Sequence, residues 1–175
     1  MTIHPEHPFQ AALADRDPVR RLRGRLGGTV TLWTAGGGEA PRAGLTVSSR
    51  MVATGEPGHA LALLDPDSSF AETLARTRTC VMHLLDWQHR ALSDAFAGVS
   101  PAPGGAFRLA EWADSAWGPV LSGASSWAGL RLVDGDLTEV GWSVLADTLI
   151  EHVELGSESE PLVHRRGQYQ RPSRS

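Results

Sequence analysis

The chain has 175 residues, of which 41% are hydrophobic and 21% charged, and its formal net charge is -4. This length accommodates one domain with its own core, and the acidic balance excludes a general nucleic-acid binder. The sequence has no apolar run long enough to cross a membrane and no signal-like N-terminus, so we expect a cytoplasmic protein without a membrane anchor. Cys80 is the only cysteine, which excludes a disulfide framework and a multi-cysteine metal site.

The first quarter of the chain predicts a helix followed by a β-hairpin. The helical segment covers residues 8–26, and Asp17 is a suitable cap within it. Residues 29–34 are β-branched and alternate in polarity, which favours a strand. The glycine cluster at 36–38 then predicts a turn into a second strand over 42–49.

The middle of the chain predicts two strands, each followed by a helix. Residues 59–64 form a short, nearly continuous apolar run, which is typical of a strand buried on both faces. Residues 67–69 can cap a helix over 70–76. A strand over 79–85 precedes a second helix over 86–96, which its first residue, an aspartate, can cap.

The second half begins with a loop over 97–106 that is rich in Pro, Gly and Ser. A strand over 126–133 follows, and after a turn we predict one long or bent strand over 137–155, with Gly141 as a bulge. A last strand covers 161–164. Six or more strands with only short helices between them favour a mainly β fold, a small barrel, over a doubly wound sheet.

These elements divide the chain into one domain with two short flanking segments. We assign residues 18–170 to the domain, residues 1–17 to an N-terminal extension or helix, and residues 171–175 to a flexible tail. The arginines near the C-terminus are typical of a solvated terminus. No internal repeat divides the domain further.

The end of the first hairpin carries the most informative alternation of the chain. In a strand over 43–49, Leu45 and Val47 point to one face, whereas Gly44 and Thr46 point to the other together with the hydroxyl of Ser48. Two interpretations are open for this second face. It is either the solvated side of an edge strand or a hydroxyl-lined surface for a polar, planar ligand.

Seven short segments occur in a characteristic order along the chain. They are Gly28–Thr34, Gly44–Ser49, Glu56-Pro57, Cys80–Leu85, Leu92–Gly98, Gly118–Leu121 and Arg166–Tyr169. This ordered set resembles the flavin reductase-like family. The resemblance implies a split β-barrel of Greek-key-like topology with short peripheral helices. It also implies a homodimer that binds FMN, or FAD, at the subunit interface.

The resemblance further implies an NAD(P)H-dependent flavin reductase that supplies reduced flavin to a partner monooxygenase. The flavin carries out the hydride chemistry, so we name no catalytic residue of the protein. In the family, the stretch that corresponds to Thr46, Val47, Ser48 and Ser49 lines the flavin, and we carry that role over to these four residues. Their backbone N–H groups and hydroxyls suit the ring edge and the ribityl chain.

The phosphate end departs from the family pattern. Relatives offer a basic residue and two hydroxyls after the third strand, whereas this chain has two aspartates there, followed by Ser68 and Ser69. A helix N-terminus at these serines can bind phosphate, and ordinary helix capping is the alternative. Arg50 and Arg166 are the candidate basic groups.

The side of the predicted site that would bind the hydride donor also departs from the family pattern. Many such reductases place a histidine after the turn of the penultimate hairpin, whereas we align Leu137, after Gly135-Asp136, with that position. Trp142 or Tyr169 is a candidate for stacking on the ring, although a strand tryptophan is more often a core residue. A flavin- or ligand-binding carrier or sensor without turnover is therefore the alternative function. We expect no metal site, because the histidines do not form a ligand set.

Overall fold

The computed structural model describes residues 18–135, 137–157 and 160–171. Its α-helices are α1 Pro18–Leu26, α2 Ser69–Thr77 and α3 Arg90–Phe96, and short 3₁₀-helices cover Trp87–His89 and Ala106–Leu109. Its strands are β1 Gly28–Thr29, β2 Thr31–Gly37, β3 Ala40–Val47, β4 Arg50–Ala53, β5 His59–Leu64, β6 Thr79–Leu84, β7 Trp112–Asp114, β8 Pro119–Leu121, β9 Ser126–Leu132, β10 Thr138–Val140, β11 Ser143–Leu155, β12 Val163–Arg165 and β13 Gln168–Gln170. Residues 8–17 of the predicted first helix lie outside the described residues.

One antiparallel sheet of eight strands organises the domain. Its strand order is β3-β2-β6-β9-β11-β5-β4, and β10 pairs with β11 beside this path. The sheet curls into a half-barrel, and α2 packs against β2 and β3. Smaller sheets of β1-β12-β13 and β7-β8 flank it. The predicted mainly β split barrel with short helices is confirmed.

The inner face of the sheet holds the main core. Trp33 is fully buried there, and its Nε1 donates to Thr31 Oγ1 at 3.0 Å. Phe70 of α2 meets the Trp33 ring edge-on, with the ring centroids 6.5 Å apart. Leu64 of β5 and Leu130 of β9 complete this core without exposed surface. Helix α2 therefore closes the inside of the half-barrel.

A second core lies on the outer face of β2 and β6. The rings of Phe96, Phe107 and Trp112 meet there at centroid distances of 4.8–5.9 Å. Phe96 belongs to α3, and a Cβ at Gly44 of β3 would lie 2.5 Å from its ring. A glycine is thus required where α3 crosses β3, so α3 covers this part of the outer face.

A buried histidine joins the second core to the sheet. His83 Nδ1 lies 2.9 Å from the carbonyl oxygen of Leu32, and the backbone N–H of Leu121 donates to His83 Nε2 at 3.0 Å. These partners require a neutral ring with its proton on Nδ1. Burial lowers the pKa of His83 from its ordinary 6.5 to about 4.

The predicted strands are present, but the strand over 42–49 ends at Val47, so Ser48 and Ser49 form the turn to β4, and the strand over 161–164 begins at Val163. Further differences concern β10, β11 and β5. The run over 137–155 is a hairpin of β10 and β11 rather than one strand, because Gly141 and Trp142 form a two-residue turn in which Gly141 has a φ of 58°. The bulge lies instead between Ile150 and His152 of β11. Strand β5 is not buried on both faces, since Leu63 is 38% exposed.

Candidate functional site

A cleft of about 630 Å³ opens between α1, the β3–β4 turn, β5 and the β12–β13 turn. We call it the α1 cleft. Ser48, Ser49 and Arg50 line one side of it, and Arg20 and Arg23 of α1 line another. The sequence places these two sides close together because only Gly27 and a short strand separate α1 from β2, to which β3 is paired.

The floor of the α1 cleft is apolar. Met51 of β4 pairs with Leu61 of β5, and Leu63 of β5 pairs with Leu145 of β11. Because directly opposed residues and residues two apart share one face of a sheet, these four side chains form a continuous surface. Met51 is 68% exposed, so the floor is open to solvent. Such a surface suits a flat ring.

The rim of the α1 cleft is held by hydrogen bonds. Arg23 Nε donates to Ser49 Oγ at 3.0 Å, which links α1 to the β3–β4 turn. Arg50 Nη2 donates to the carbonyl oxygen of Thr29 at 3.1 Å and also to its hydroxyl. Burial lowers the pKa of the Arg50 guanidinium, which nonetheless stays cationic near neutral pH.

The β12–β13 turn closes the cleft at the C-terminal end of α1. The backbone N–H of Arg166 donates to the carbonyl oxygen of Gly24 at 2.8 Å, and Arg165 Nε donates to that of Arg25 at 3.2 Å. Arg166 has a φ of 53°, which directs the chain through the tight turn. His164 and Gly167 line the cleft on either side of these two residues.

The electrostatics of the α1 cleft oppose those of the whole chain. The ionisable residues that line it are Arg20, Arg23, Arg50 and His164, and none is acidic. The chain itself carries a net charge of -4. A local basic rim in an acidic protein attracts an anion. Together, the apolar floor and the basic rim suit a planar molecule with an anionic tail.

The predicted ring-binding residues divide into two pairs. Ser48 and Ser49 line the α1 cleft. Thr46 does not, because its hydroxyl donates to the carbonyl oxygen of Ser93 at 2.6 Å beneath α3. Val47 is buried in the inner core, and its carbonyl oxygen accepts from Thr31 Oγ1 at 2.7 Å. The alternation of faces is as expected, but α3 covers the outer face at Thr46.

The predicted phosphate residues are also separated. Arg50 lines the cleft, and Arg166 lies next to its lining residue Gly167. Ser68 and Ser69 do not line it. Ser68 is the cap of α2, since its hydroxyl accepts from the Ala71 N–H at 3.2 Å and donates to the carbonyl oxygen of Asp65 at 2.7 Å.

The two ring-stacking candidates occupy different environments. Trp142 is 70% exposed at the β10–β11 turn. The phenol of Tyr169 donates to Asp94 Oδ1 at 2.6 Å and shares a 2.9 Å hydrogen bond with Ser93 Oγ, so it ties β13 to α3. Leu137, at the position where many such reductases have a histidine, precedes β10, and the two-residue turn before β11 is Gly141-Trp142.

Sequence reasoning missed the contribution of α1 and of β5 to the site. Arg20 and Arg23 are three residues apart, so they share one face of the helix, and this spacing was the available signal. Leu61 and Leu63 alternate along β5, which marks a face distinct from the buried one. Neither pattern shows which other element the face meets.

Two classes of site receive no support in the described parts of the chain. There, no group of three or more His, Cys, Asp or Glu side chains is placed to hold a metal ion. None of the helices in these parts has the length and apolar character needed to span a membrane.

Comparison with protein families identifies the class to which this fold and cleft belong. The model of the flavin reductase like domain matches residues 23–173, so the chain belongs to this family. The match begins within α1 and includes every strand of the described residues. The family that the short segments resemble is therefore confirmed.

One curated protein is similar to this chain in sequence, and two solved structures are similar to it in fold. An FMN reductase (NADH), RutF, from Ancylobacter novellus is 34% identical over 116 residues, which cover 66% of this chain and 63% of that protein. The NADH:FAD oxidoreductase SgcE6 of Streptomyces globisporus C-1027 superposes with a TM-score of 0.79 at 21% identity, over 94% of this chain and 97% of that one. BorF, the flavin reductase component of a bacterial two-component tryptophan halogenase, superposes with a TM-score of 0.75 at 20% identity, over 89% of this chain and 98% of that one.

Proposed function

We propose that this chain is an NAD(P)H-dependent FMN reductase whose flavin binds in the α1 cleft. The observation that carries the proposal is the pairing of an open apolar floor with a rim in which every ionisable residue is basic. FMN combines a flat ring with a phosphate, and FAD combines the same ring with a diphosphate. The family membership and the FMN reductase among the relatives support this assignment.

In this proposal the residues of the cleft bind and orient the flavin. Met51 and Leu61 support the ring, and the hydroxyls and backbone N–H groups of Ser48 and Ser49 face its polar atoms and the ribityl chain. Bound flavin supplies the hydride-accepting chemistry, so the protein needs no nucleophile. Thr46 and Val47 support the site through the backbone that positions Ser48. Arg50 and Arg166 provide positive charge, and the N-terminus of α2 at Ser68 and Ser69 is the alternative phosphate position.

The proposal includes a homodimer in the cytoplasm that passes reduced flavin to a monooxygenase component. Met51 on the floor of the α1 cleft is 68% exposed and Leu63 beside it is 38% exposed, so a single subunit leaves this apolar surface open to solvent. A second subunit over this surface would exclude water from the flavin. Light scattering should report a dimer, and Met51→Glu should shift it towards monomer. Val99→Glu, at another exposed apolar residue, is the matched control.

Flavin titration together with nicotinamide oxidation tests the proposed activity. Wild-type protein should quench FMN fluorescence on binding and should oxidise NADH or NADPH when FMN is added. Arg50→Gln should weaken FMN binding about tenfold because it removes a partly buried cation from the rim. Arg76→Gln, which removes an exposed arginine of α2, should change neither quantity.

Two results would decide against the proposal as stated. Absence of flavin binding would exclude any flavin function for the cleft. FMN binding without oxidation of either nicotinamide would favour the carrier or sensor. The observation that favours this second function is Leu137, which follows Gly135-Asp136 where many such reductases have a histidine.

A further inference from the structure

The N-terminus of α2 is poorly suited to hold a phosphate in this chain. The hydroxyl of Ser68 already accepts from Ala71 and donates to Asp65. Asp65 Oδ1 accepts from the backbone N–H of Asp67 at 2.9 Å, so two carboxylates lie in the same turn. Like charges at this separation oppose an incoming phosphate. The position at which the family pattern places the phosphate is therefore occupied by its own hydrogen bonds and by negative charge.

Helix α1 offers the opposite environment. Arg20 and Arg23 lie one turn apart and both line the cleft. Among the described residues, the Arg23 side chain makes one hydrogen bond, from Nε to Ser49 Oγ. Its terminal N–H groups can therefore serve a ligand. Arg50 lies directly after Ser49 in the chain and also lines the cleft, where its Nη2 donates to Thr29.

We infer that Arg23 of α1, together with Arg50, holds the phosphate of the flavin, and that the N-terminus of α2 does not. This inference rests on the proposed function of the α1 cleft. A guanidinium presents its N–H groups in a planar fork that matches phosphate oxygens, and such charge-assisted hydrogen bonds are about twice as strong as neutral ones. The cleft then selects phosphorylated flavins over riboflavin.

The selectivity between FMN and riboflavin tests the inference, since the two flavins differ only in the phosphate. Fluorescence titrations of the wild-type protein should give FMN an affinity at least about tenfold higher than riboflavin. Arg23→Gln should remove most of this ratio by weakening FMN while leaving riboflavin within about twofold. Arg21→Gln is the matched control, because it removes the same charge from the same helix at a residue that does not line the cleft.

Two further measurements test whether Arg23 binds a different phosphate and whether the flavin phosphate lies elsewhere. The KM for NADH should be unchanged in Arg23→Gln. If the KM for NADH rises while the affinity for FMN is unchanged, Arg23 binds the nicotinamide nucleotide and the inference is overturned. Asp67→Asn should leave FMN affinity within about twofold. A severalfold gain in FMN affinity in this variant would place the phosphate beside α2 instead, because removal of a nearby negative charge would then favour phosphate binding.

The outcomes distinguish this inference from the function on which it rests. If wild-type protein binds both flavins with equal affinity, or if Arg23→Gln weakens both equally, the phosphate assignment is wrong and the flavin site stands. If neither flavin binds to the wild-type protein, the proposed function fails and the inference fails with it. Loss of FMN selectivity in Arg23→Gln alone supports both.

Discussion

The outer face of the large sheet is closed over β2 and β6 and open over β4 and β5. Over the closed part, α3 and the β7–β8 hairpin bury Leu32, and the polar atoms of His83 are paired. Over the open part, Met51 and Leu63 remain exposed beside unburied arginines. Similar apolar side chains therefore stabilise the fold in one region, and in the proposed function they form the flavin surface in the other.

Truncating one leucine in each region should give the largest contrast. Leu32→Ala removes a fully buried side chain from the closed part and should lower the free energy of unfolding by about 3 kcal/mol. Leu63→Ala, at a residue that is 38% exposed, should cost less than about 1 kcal/mol and should instead weaken FMN binding. Urea unfolding and flavin titration of both variants measure the two effects. Equal stability losses would contradict the division into closed and open regions.

The titration of His83 should make the closed region sensitive to acid. The pKa of His83 is lowered by burial to about 4 in the folded protein, whereas the unfolded chain binds this proton below about 6.5. The unfolded state therefore gains protons first, so this contribution to stability is complete above pH 6.5 and is lost as the pH falls towards 4. Between pH 7 and 4.5 the loss should be about 2 kcal/mol.

A variant that cannot titrate isolates this effect from the carboxylates. The amide of His83→Gln can donate to Leu32 and accept from Leu121, so it replaces the neutral ring without its proton equilibrium. Urea unfolding at both pH values should show a smaller pH-dependent loss in the variant than in wild type. The same slope in the two proteins would assign the acid sensitivity to other groups.

A methyl group at Gly44 should disturb the closed region through sterics alone. Its Cβ would lie 2.5 Å from the Phe96 ring, so α3 has to shift, at a cost of about 1.5 kcal/mol. Gly28→Ala is the matched control, because a Cβ there meets no atom within 4 Å. Thermal unfolding compares the two variants. An equal effect in both would show that loss of glycine flexibility, rather than the contact with Phe96, is responsible.

The contrast between the two regions also shows which features the sequence could predict. Alternation over 43–49 assigns the faces of β3 correctly, because period two is a local property of the backbone. It does not reveal that α3 covers Thr46, since that contact joins segments 47 residues apart. The Arg23–Ser49 contact joins segments 26 residues apart and is hidden for the same reason.

The missed hairpin has a different physical origin. The β-branched residues Thr138 and Val140 favour a strand, and the next strand begins at Ser143, so only two residues separate the two strands in the sequence. Gly141 then reads equally well as a bulge or as the first residue of a turn. The cap of α2 was predictable because Ser68 acts on residues of its own helix.

Tyr169 connects the two regions, and loss of its phenol should have the smallest of the predicted effects on stability. It ties β13, next to the Arg166–Gly167 turn of the cleft, to Ser93 and Asp94 of α3. Partial burial, followed by the hydrogen bond to Asp94, raises the pKa of Tyr169 to about 12. Because it is the only tyrosine in the chain, ultraviolet absorbance of the phenolate reports this group alone.

The stabilisation by this phenol should be present below pH 10 and should be lost as the pH rises towards 12, because the folded state retains the proton longer than the unfolded chain. Asp94→Asn removes the carboxylate and should lower the pKa of Tyr169, while Tyr169→Phe should cost about 1 kcal/mol of stability at neutral pH. The ultraviolet titration and urea unfolding check these values. An unchanged pKa in Asp94→Asn would mean that burial alone holds the proton and that the link between β13 and α3 is not made through Asp94.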